Sequence, residues 1–282
     1  LISNNPYPKI SVVTPNYNQG DFLEQTILSV LNQEYPNLEY IIIDGGSTDS
    51  SSDIIAKYSK KLHYWVSEPD KGMYDAINKG FSRSSGTIMC WINSDDVLWE
   101  GSLNYIAKKF TANKKMHWLQ GLPSVINEKE ELILQREHVF SPWFFYLSEH
   151  RKHFSFIQQE STFWTRELWN KAGGTLNLEY KMAADFDLWM RFFRHQILYC
   201  SKKQLAAFRV REGQKSSDKK GYLKEVEQAL KSNFNKLPRY KKIHFFLFKF
   251  YSKIANILPW SIFKMFKRKW IVQMMDSPKW ID

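Results

Sequence analysis

Four short, unbroken apolar runs in the first hundred residues restrict the fold of this chain more than any other feature. ISVVTP (residues 10 to 15), YIIID (40 to 44), LHYWVS (62 to 67) and TIMCWIN (87 to 93) are rich in β-branched and aromatic residues, as strands covered on both faces must be. Helical patterns separate them. Leu23, Ile27, Val30 and Leu31 form one stripe, and Asp21 precedes Glu24 by three residues as a helix cap with its capping-box partner. Ile54, Ile55 and Tyr58 follow the turn GGSTDSSSD, and Met73, Ile77 and Phe81 follow DKG. Strand and helix alternating through short polar turns predict βαβ units, hence a mostly parallel α/β sheet with helices on its faces.

In such a sheet ligands bind at the carboxyl ends of the strands. The polar residues there are Thr14, Pro15, Asn16, Tyr17 and Asn18; Asp44, Gly45 and Gly46; Glu68, Pro69, Asp70 and Lys71; and Asn93, Ser94, Asp95 and Asp96. Any one of them reads as a turn residue or helix cap. Acids at three of four strand ends, all on one edge, read as a site. Neither G-x-G-x-x-G nor G-x-x-x-x-G-K-[ST] occurs, which removes the dinucleotide fingerprint and the phosphate loop. An acidic rim holds phosphate only through a divalent cation, and oxygen ligands without His or Cys point to Mg2+ or Mn2+, with nucleotide phosphates completing the shell. Asp95 and Asp96 then tolerate each other because a cation and a diphosphate lie between them.

The 282 residues, 43% hydrophobic, suffice for one large domain, alone or with an appendage. Cys90 and Cys200 fall in strand-like segments and are too few for a disulfide framework or a zinc site. The opening LISNNPYPKI lacks the charged and apolar regions of a secretion signal, and no run reaches the ~18 apolar residues of a membrane span. A cytoplasmic protein with reduced thiols is expected. The formal charge of +11 is concentrated in the tail: from Lys236 onward there are eleven Lys and Arg against Asp276 and Asp282. Such a tail suits nucleic acid, an anionic membrane surface or a solvated face.

ISVVTPNYNQGDFLEQTILSVLNQEYPNLEYIIIDGGSTDSS together with EPDKGMYDAINKGFSRSSGTIMCWINSDD resembles the family 2 glycosyltransferases, inverting enzymes with the nucleotide-sugar-binding GT-A fold. The likeness continues through STFWTRELWNKAGG, MAADFDLWMRFF and LAAFRVREGQKSSD, covering roughly residues 8 to 218. It implies that Thr14, Pro15, Tyr17 and Asp44 hold the uracil of a UDP-sugar, that Asp70 and Asp75 contact the nucleoside and pyrophosphate, and that Asp95 and Asp96 bind ribose and metal. Asn93 stands where many relatives carry another acid.

Inverting transfer is one displacement at the anomeric carbon and needs one general base and one leaving-group stabiliser. AADFDLWMRFF offers Asp185 and Asp187, which face different directions on a helix beginning near Ala184. The family pattern puts the base at Asp185 and leaves Asp187 to cap or brace; without that pattern Asp185 is equally readable as a cap. Trp189 either walls the acceptor site or belongs to the core. Many relatives carry a metal-completing His where this chain has Arg211. Arginine cannot ligate a cation but grips phosphate bidentately, so Arg211, with Lys215, is expected on the pyrophosphate.

The expected division is a GT-A domain over residues 1 to 232, with a donor half at about 8 to 115 and an acceptor half at about 116 to 218, followed by a basic, aromatic helical extension over 233 to 282. That extension interleaves Phe, Trp, Ile and Leu with Lys and Arg and is divided by Pro259; it either packs on the protein or lies on an anionic membrane surface. The expected activity is sugar transfer from a UDP-sugar to a saccharide or lipid-linked glycan in cell-surface polysaccharide or glycoconjugate synthesis. Two alternatives are weaker. A sugar-nucleotide nucleotidyltransferase would carry a Gly-rich basic loop where this chain has TPNYNQGD, and a nucleic-acid-binding protein would line a groove with its basic residues. The aromatic-rich segment SPWFFYLSEHRKHFSFIQQE matches no recognisable code.

Overall fold

The four apolar runs fold as strands, each followed by a helix or, after the fourth, by the acidic turn. The computed structural model describes residues 7–135, 140–211, 214, 218–255 and 279–281. β1 (Ile10–Asn16), α1 (Gly20–Leu31), β2 (Leu38–Asp44), α2 (Ser51–Tyr58), β3 (Tyr64–Ser67), α3 (Met73–Arg83) and β4 (Ile88–Trp91) form the expected alternation. β5 (Val97–Leu98), α4 (Ser102–Ala112), β6 (Trp118–Gln120), β7 (Ser124–Ile126) and β8 (Leu132–Gln135) follow. The second half continues with α5 (Pro142–Tyr146), α6 (His150–His153), β9 (Thr162–Thr165), α7 (Arg166–Lys171), α8 (Ala184–Phe192), β10 (Tyr199–Ser201) and β11 (Ala206–Arg209). α9 (Lys219–Asn235), α10 (Arg239–Ala255) and β12 (Lys279–Ile281) complete the described chain.

The central sheet runs in the order β12-β10-β6-β9-β4-β1-β2-β3. β1 pairs in parallel with β2 from Ile10↔Leu38 to Asn16↔Asp44 and with β4 from Ile10↔Ile88 to Val13↔Trp91. β9 is antiparallel to both β4 and β6. The connection from β3 to β4 crosses back over the sheet, so β1 and β4 part at their carboxyl ends, the switch point where open α/β sheets take ligands. A smaller sheet, β5-β11-β7-β8, stands beside that opening. α3 packs closely on β1 because Gly80 has no side chain: a Cβ there would lie 2.5 Å from Val13 Cγ1.

Burial explains the continuous apolar runs. β1 and β4 are buried at every residue, while β3, at the sheet edge, is only half-buried. An aromatic cluster joins the two halves of the core: Trp91 of β4 meets Trp164 of β9 at 5.4 Å and Trp189 of α8 at 6.0 Å, and Trp118 of β6 stacks on Trp189 at 5.8 Å between ring centroids. Cys90 and Cys200 are both buried and unpaired, and burial pushes both thiols up.

Three expectations change. α1 begins at Gly20, so Asp21 lies in its first turn; the Gly20 N–H is instead taken by Asp49 Oδ2 at 2.9 Å, and Glu24 accepts from Lys57 Nζ and from the Tyr58 hydroxyl. The division at residue 232 falls inside α9, whose buried Asn233 donates to Asp187 Oδ1 at 2.8 Å; the helical break comes at residues 236 to 238. Beyond it α10 is helical and docks through Phe245 onto Trp143, Tyr146 and Phe234, whereas Lys279–Ile281, expected within the helical extension, joins the central sheet as β12 beside β10. Pro259 and its neighbours lie outside the described residues.

Candidate active site

The carboxyl edge of β1, β2 and β3 is held together by one acid. Asp44 accepts at one oxygen from Asn16 Nδ2 (2.6 Å) and the Ser47 hydroxyl (2.5 Å), and at the other from Ser47 N–H (2.9 Å) and the Ser67 hydroxyl (2.5 Å). Burial would raise its pKa, but these donors outweigh that and hold it below the usual range. With both lone pairs of each oxygen engaged, Asp44 braces the strand ends, and a base contact would require one donor to turn away. Thr14 turns inward. Its side chain is completely buried and its hydroxyl pairs with Tyr40 Oη at 3.0 Å inside the sheet. Pro15 is buried as well.

Tyr17 remains available, 60% exposed. It stands beside Gly45 and Asp70: a Cβ on Gly45 would lie 2.8 Å from Asp70 Oδ2 and 3.3 Å from the Tyr17 ring, so glycine is what lets these side chains approach the backbone. Asp70 Oδ1 accepts from Gly72 N–H at 2.6 Å, and Asp75 Oδ2 accepts from Lys71 N–H at 3.1 Å. An exposed aromatic ring with a carboxylate across a bare backbone suits a planar base and its ribose.

After β4 the chain turns through Asn93, Ser94, Asp95 and Asp96. Asp96 is fully buried; Oδ1 accepts from Arg209 N–H at 2.9 Å and Oδ2 from Asn93 Nδ2 at 3.1 Å. Burial, then repulsion from Asp95 and Glu160, pushes its pKa well above the usual carboxylate range. Asp95 pairs instead with Arg211, whose Nε donates to Oδ2 at 2.9 Å. Arg211, expected on the pyrophosphate, therefore stands on Asp95. Lys215 lies outside the described residues.

Two participants escaped sequence reasoning. Arg209 is fully buried behind the acid pair, its Nε donating to the Asp95 carbonyl at 2.7 Å and its Nη2 to Glu130 at 3.2 Å. A lone cation in the apolar strand AAFR was the available signal. Glu160, 3% exposed and immediately ahead of β9, is pushed up to about 8 by burial and by repulsion from Asp185 and Asp95. Its Oε1 is buried without a partner, as is Asn93 Oδ1.

α8 carries the remaining acid. From Ala183 to Phe193 every residue is buried except Asp185, which is half-buried, so a helix packed on nearly all sides presents one carboxylate. Burial of that carboxylate raises its pKa to about 7, and the charge of Glu225 adds to the shift. The phenols of Tyr74 and Tyr222 neighbour it, and its Oδ1 has no partner. Glu225 of α9 accepts from the N–H groups of Lys181, Met182 and Ala183 and thereby caps the start of α8. Asp187 faces the other way, bridging Arg191 Nε (2.8 Å) and Asn233. Trp189 belongs to the core: it is 1% exposed among Trp91, Trp118 and Trp164, so no acceptor can stack on it.

Among the described residues no three His, Cys, Asp or Glu side chains form an ion cage by themselves. The donor set fits a cation whose remaining ligands are phosphate and water oxygens: two adjacent carboxylates, with the unpartnered oxygens of Asn93 and Glu160 nearby.

Residues 11–171 match the family described as Glycosyl transferase family 2, more than half the chain, and the chain belongs to that family. The putative teichuronic acid biosynthesis glycosyltransferase TuaG of Bacillus subtilis is 40% identical over 92 residues, 32% of this chain and 36% of that protein. An uncharacterized glycosyltransferase of Rickettsia typhi is 27% identical over 237 residues, 81% of this chain and 72% of its own length. The alignment with TuaG thus spans about a third of that relative. Among solved structures, S. aureus TarS 1-349 in complex with UDP-GlcNAc superposes with a TM-score of 0.65 at 18% identity, covering 84% of this chain and 70% of that one. Mannosyltransferase PcManGT from Pyrobaculum calidifontis, in complex with GDP-Man and Mn2+, gives 0.52 at 17% identity over 75% of this chain and 57% of that one. The fold is GT-A.

Proposed function

We propose that this chain transfers a sugar from a nucleotide-diphospho-sugar, a UDP-sugar in the first instance, to a saccharide or lipid-linked acceptor with inversion, in the assembly of a cell-surface polysaccharide or glycoconjugate. The observation that carries the reading is Asp185, the one side chain between Ala183 and Phe193 that is not fully buried, electrostatically in range of Glu160 and, through it, of the acid pair after β4. As the acceptor oxygen bonds to the anomeric carbon and the carbon–oxygen bond to the diphosphate breaks, Asp185 takes the acceptor proton and the nucleoside diphosphate leaves. A carboxylate pushed up to about 7 is well matched to that transfer near neutral pH. A divalent cation, Mn2+ or Mg2+, held by Asp96 and Asp95, would supply Lewis-acid neutralisation of the leaving diphosphate. Tyr17 and Asp70 receive the base and ribose, Asp75 stands at the same edge, and Arg211 is placed to exchange Asp95 for pyrophosphate oxygens.

The UDP-GlcNAc in the TarS complex makes UDP-GlcNAc the first donor to test. Thermal stabilisation by a panel of UDP-sugars with Mn2+, followed by measurement of UDP release, tests the reading. One donor should raise the melting temperature and yield UDP. Stabilisation by none of them, or release of pyrophosphate instead of UDP, refutes it.

A further inference from the structure

The helix α10 has two different sides. Its inner side is closed by Phe245, stacked on Trp143 with ring centroids 5.9 Å apart and packed edge-on against Phe234 at 5.1 Å. Its outer side exposes Ile243 (57%), Phe246 (59%) and Leu247 (43%), with Tyr240 and Phe250 also exposed on the same helical face. Single exposed apolar residues are ordinary on a protein surface; five on one face of one helix mark a contact surface.

Charge selects the occupant. RYKKIHFFLFKFYSKIA contains Arg239, Lys241, Lys242, Lys249 and Lys253 and no acid. Lys242 and Lys249, seven residues apart, border the exposed stripe along one side, with Lys249 itself exposed. A second copy of this chain would bring the same cations against these and be repelled. An occupant that is both apolar and negative satisfies the stripe and its rim together. No helix among the described residues is long and apolar enough to cross a membrane, so the helix would lie in the interface plane, as amphipathic helices with basic polar faces do.

We propose that the outer face of α10 docks this protein on an anionic lipid bilayer. Ile243, Phe246, Leu247 and Phe250 enter the headgroup boundary, and Lys242 and Lys249 sit at the level of the lipid phosphates. The proposal stands apart from sugar transfer, because vesicle binding needs no turnover.

The test is co-sedimentation of the full chain with phosphatidylcholine vesicles, with and without phosphatidylglycerol, at about 0.05 M and about 0.5 M salt. The protein should pellet with the anionic vesicles at low salt and be released at high salt. Ile243→Ser with Leu247→Ser, both exposed and therefore compatible with folding, should weaken partitioning by at least about tenfold. Lys242→Gln with Lys249→Gln should weaken it by roughly tenfold and flatten the salt dependence. Equal pelleting with both kinds of vesicle, no pelleting at either salt, or variants that bind as the parent does would overturn the proposal. Light scattering that shows a dimer lost in the serine variant would give the face to a second copy and overturn it as well.

Discussion

Glu39, at the amino end of β2, and Asp96, in the turn after the carboxyl end of β4, are both buried acids, and they are treated in opposite ways. At the amino end Glu39 accepts from the Ser11 hydroxyl (2.5 Å), from Ser85 N–H and its hydroxyl (2.7 Å each) and from Gly86 N–H (3.2 Å). Burial would raise its pKa, but these donors prevail and lower it. At the carboxyl end Asp96, Glu160 and Asp185 have fewer donors than their oxygens can use, lie within reach of one another's charge, and all titrate above the usual range. A protein with no use for such a cluster gains by pairing or removing it. The closed acid holds the sheet together; the open acids await a cation, a sugar or a proton, as perturbed groups at functional sites do.

The contrast breaks most sharply at Asp96. Asp96→Asn keeps an acceptor for Arg209 N–H but removes the charge, and Mn2+-dependent UDP release should fall by at least ~10³-fold while the melting temperature holds or rises. Activity that survives EDTA in the parent protein would deny the cation its place.

Glu39→Ala should do the reverse. It leaves buried donors on Ser11, Ser85 and Gly86 unmet, at a cost of about 3 kcal/mol in urea unfolding, with UDP affinity unchanged in whatever protein remains folded. Because the folded pKa of Glu39 is lowered, its contribution is present above its unfolded pKa and lost as pH falls through the folded value.

Glu160 has the opposite sign. Its folded pKa is raised from 4.5 to about 8, so between those values the folded state holds a proton that the unfolded chain releases, and stability declines as pH rises. Glu160→Gln should flatten that decline and gain on the order of 1 kcal/mol at about pH 8. Parallel pH–stability curves for variant and parent would remove Glu160 from the open set.

A smaller effect sharpens the role of α9. Glu225→Gln removes a charge that raises Asp185 and weakens the cap on α8. Turnover should drop up to about tenfold, and the acidic limb of the rate profile should move to lower pH. A drop with no movement of that limb would make Glu225 a purely structural cap.

Much of this was legible in the sequence because it is local. Each strand, its turn and its helix are contiguous, so the apolar runs, the 3.6-residue stripes and the acids at strand ends could be read directly, and so could the opposed directions of Asp185 and Asp187. What could not be read depends on partners far along the chain. Glu225 reaches α8 from about forty residues away, and Arg209 backs acids that precede it by more than a hundred. Glu160 ends an aromatic-rich segment whose composition gives no period. The core position of Trp189 was legible in the sequence, since Phe186, Leu188, Met190 and Phe192 surround it on a helix with no polar side chains apart from Asp185, Asp187 and Arg191. Asp21 misled because a capping box is a local pattern, whereas the first N–H of α1 is met by Asp49 from the next loop.

Asp185→Asn tests the central claim most directly, with single-turnover UDP release measured across pH and UDP binding measured by calorimetry on the same protein. The parent rate should rise with pH to a plateau above a limb near 7. The variant should lose at least ~10²-fold in rate and the limb itself, with UDP affinity within about threefold of the parent. A variant that turns over at the parent rate, or one that loses its affinity for UDP, would contradict the assignment of Asp185 as the base.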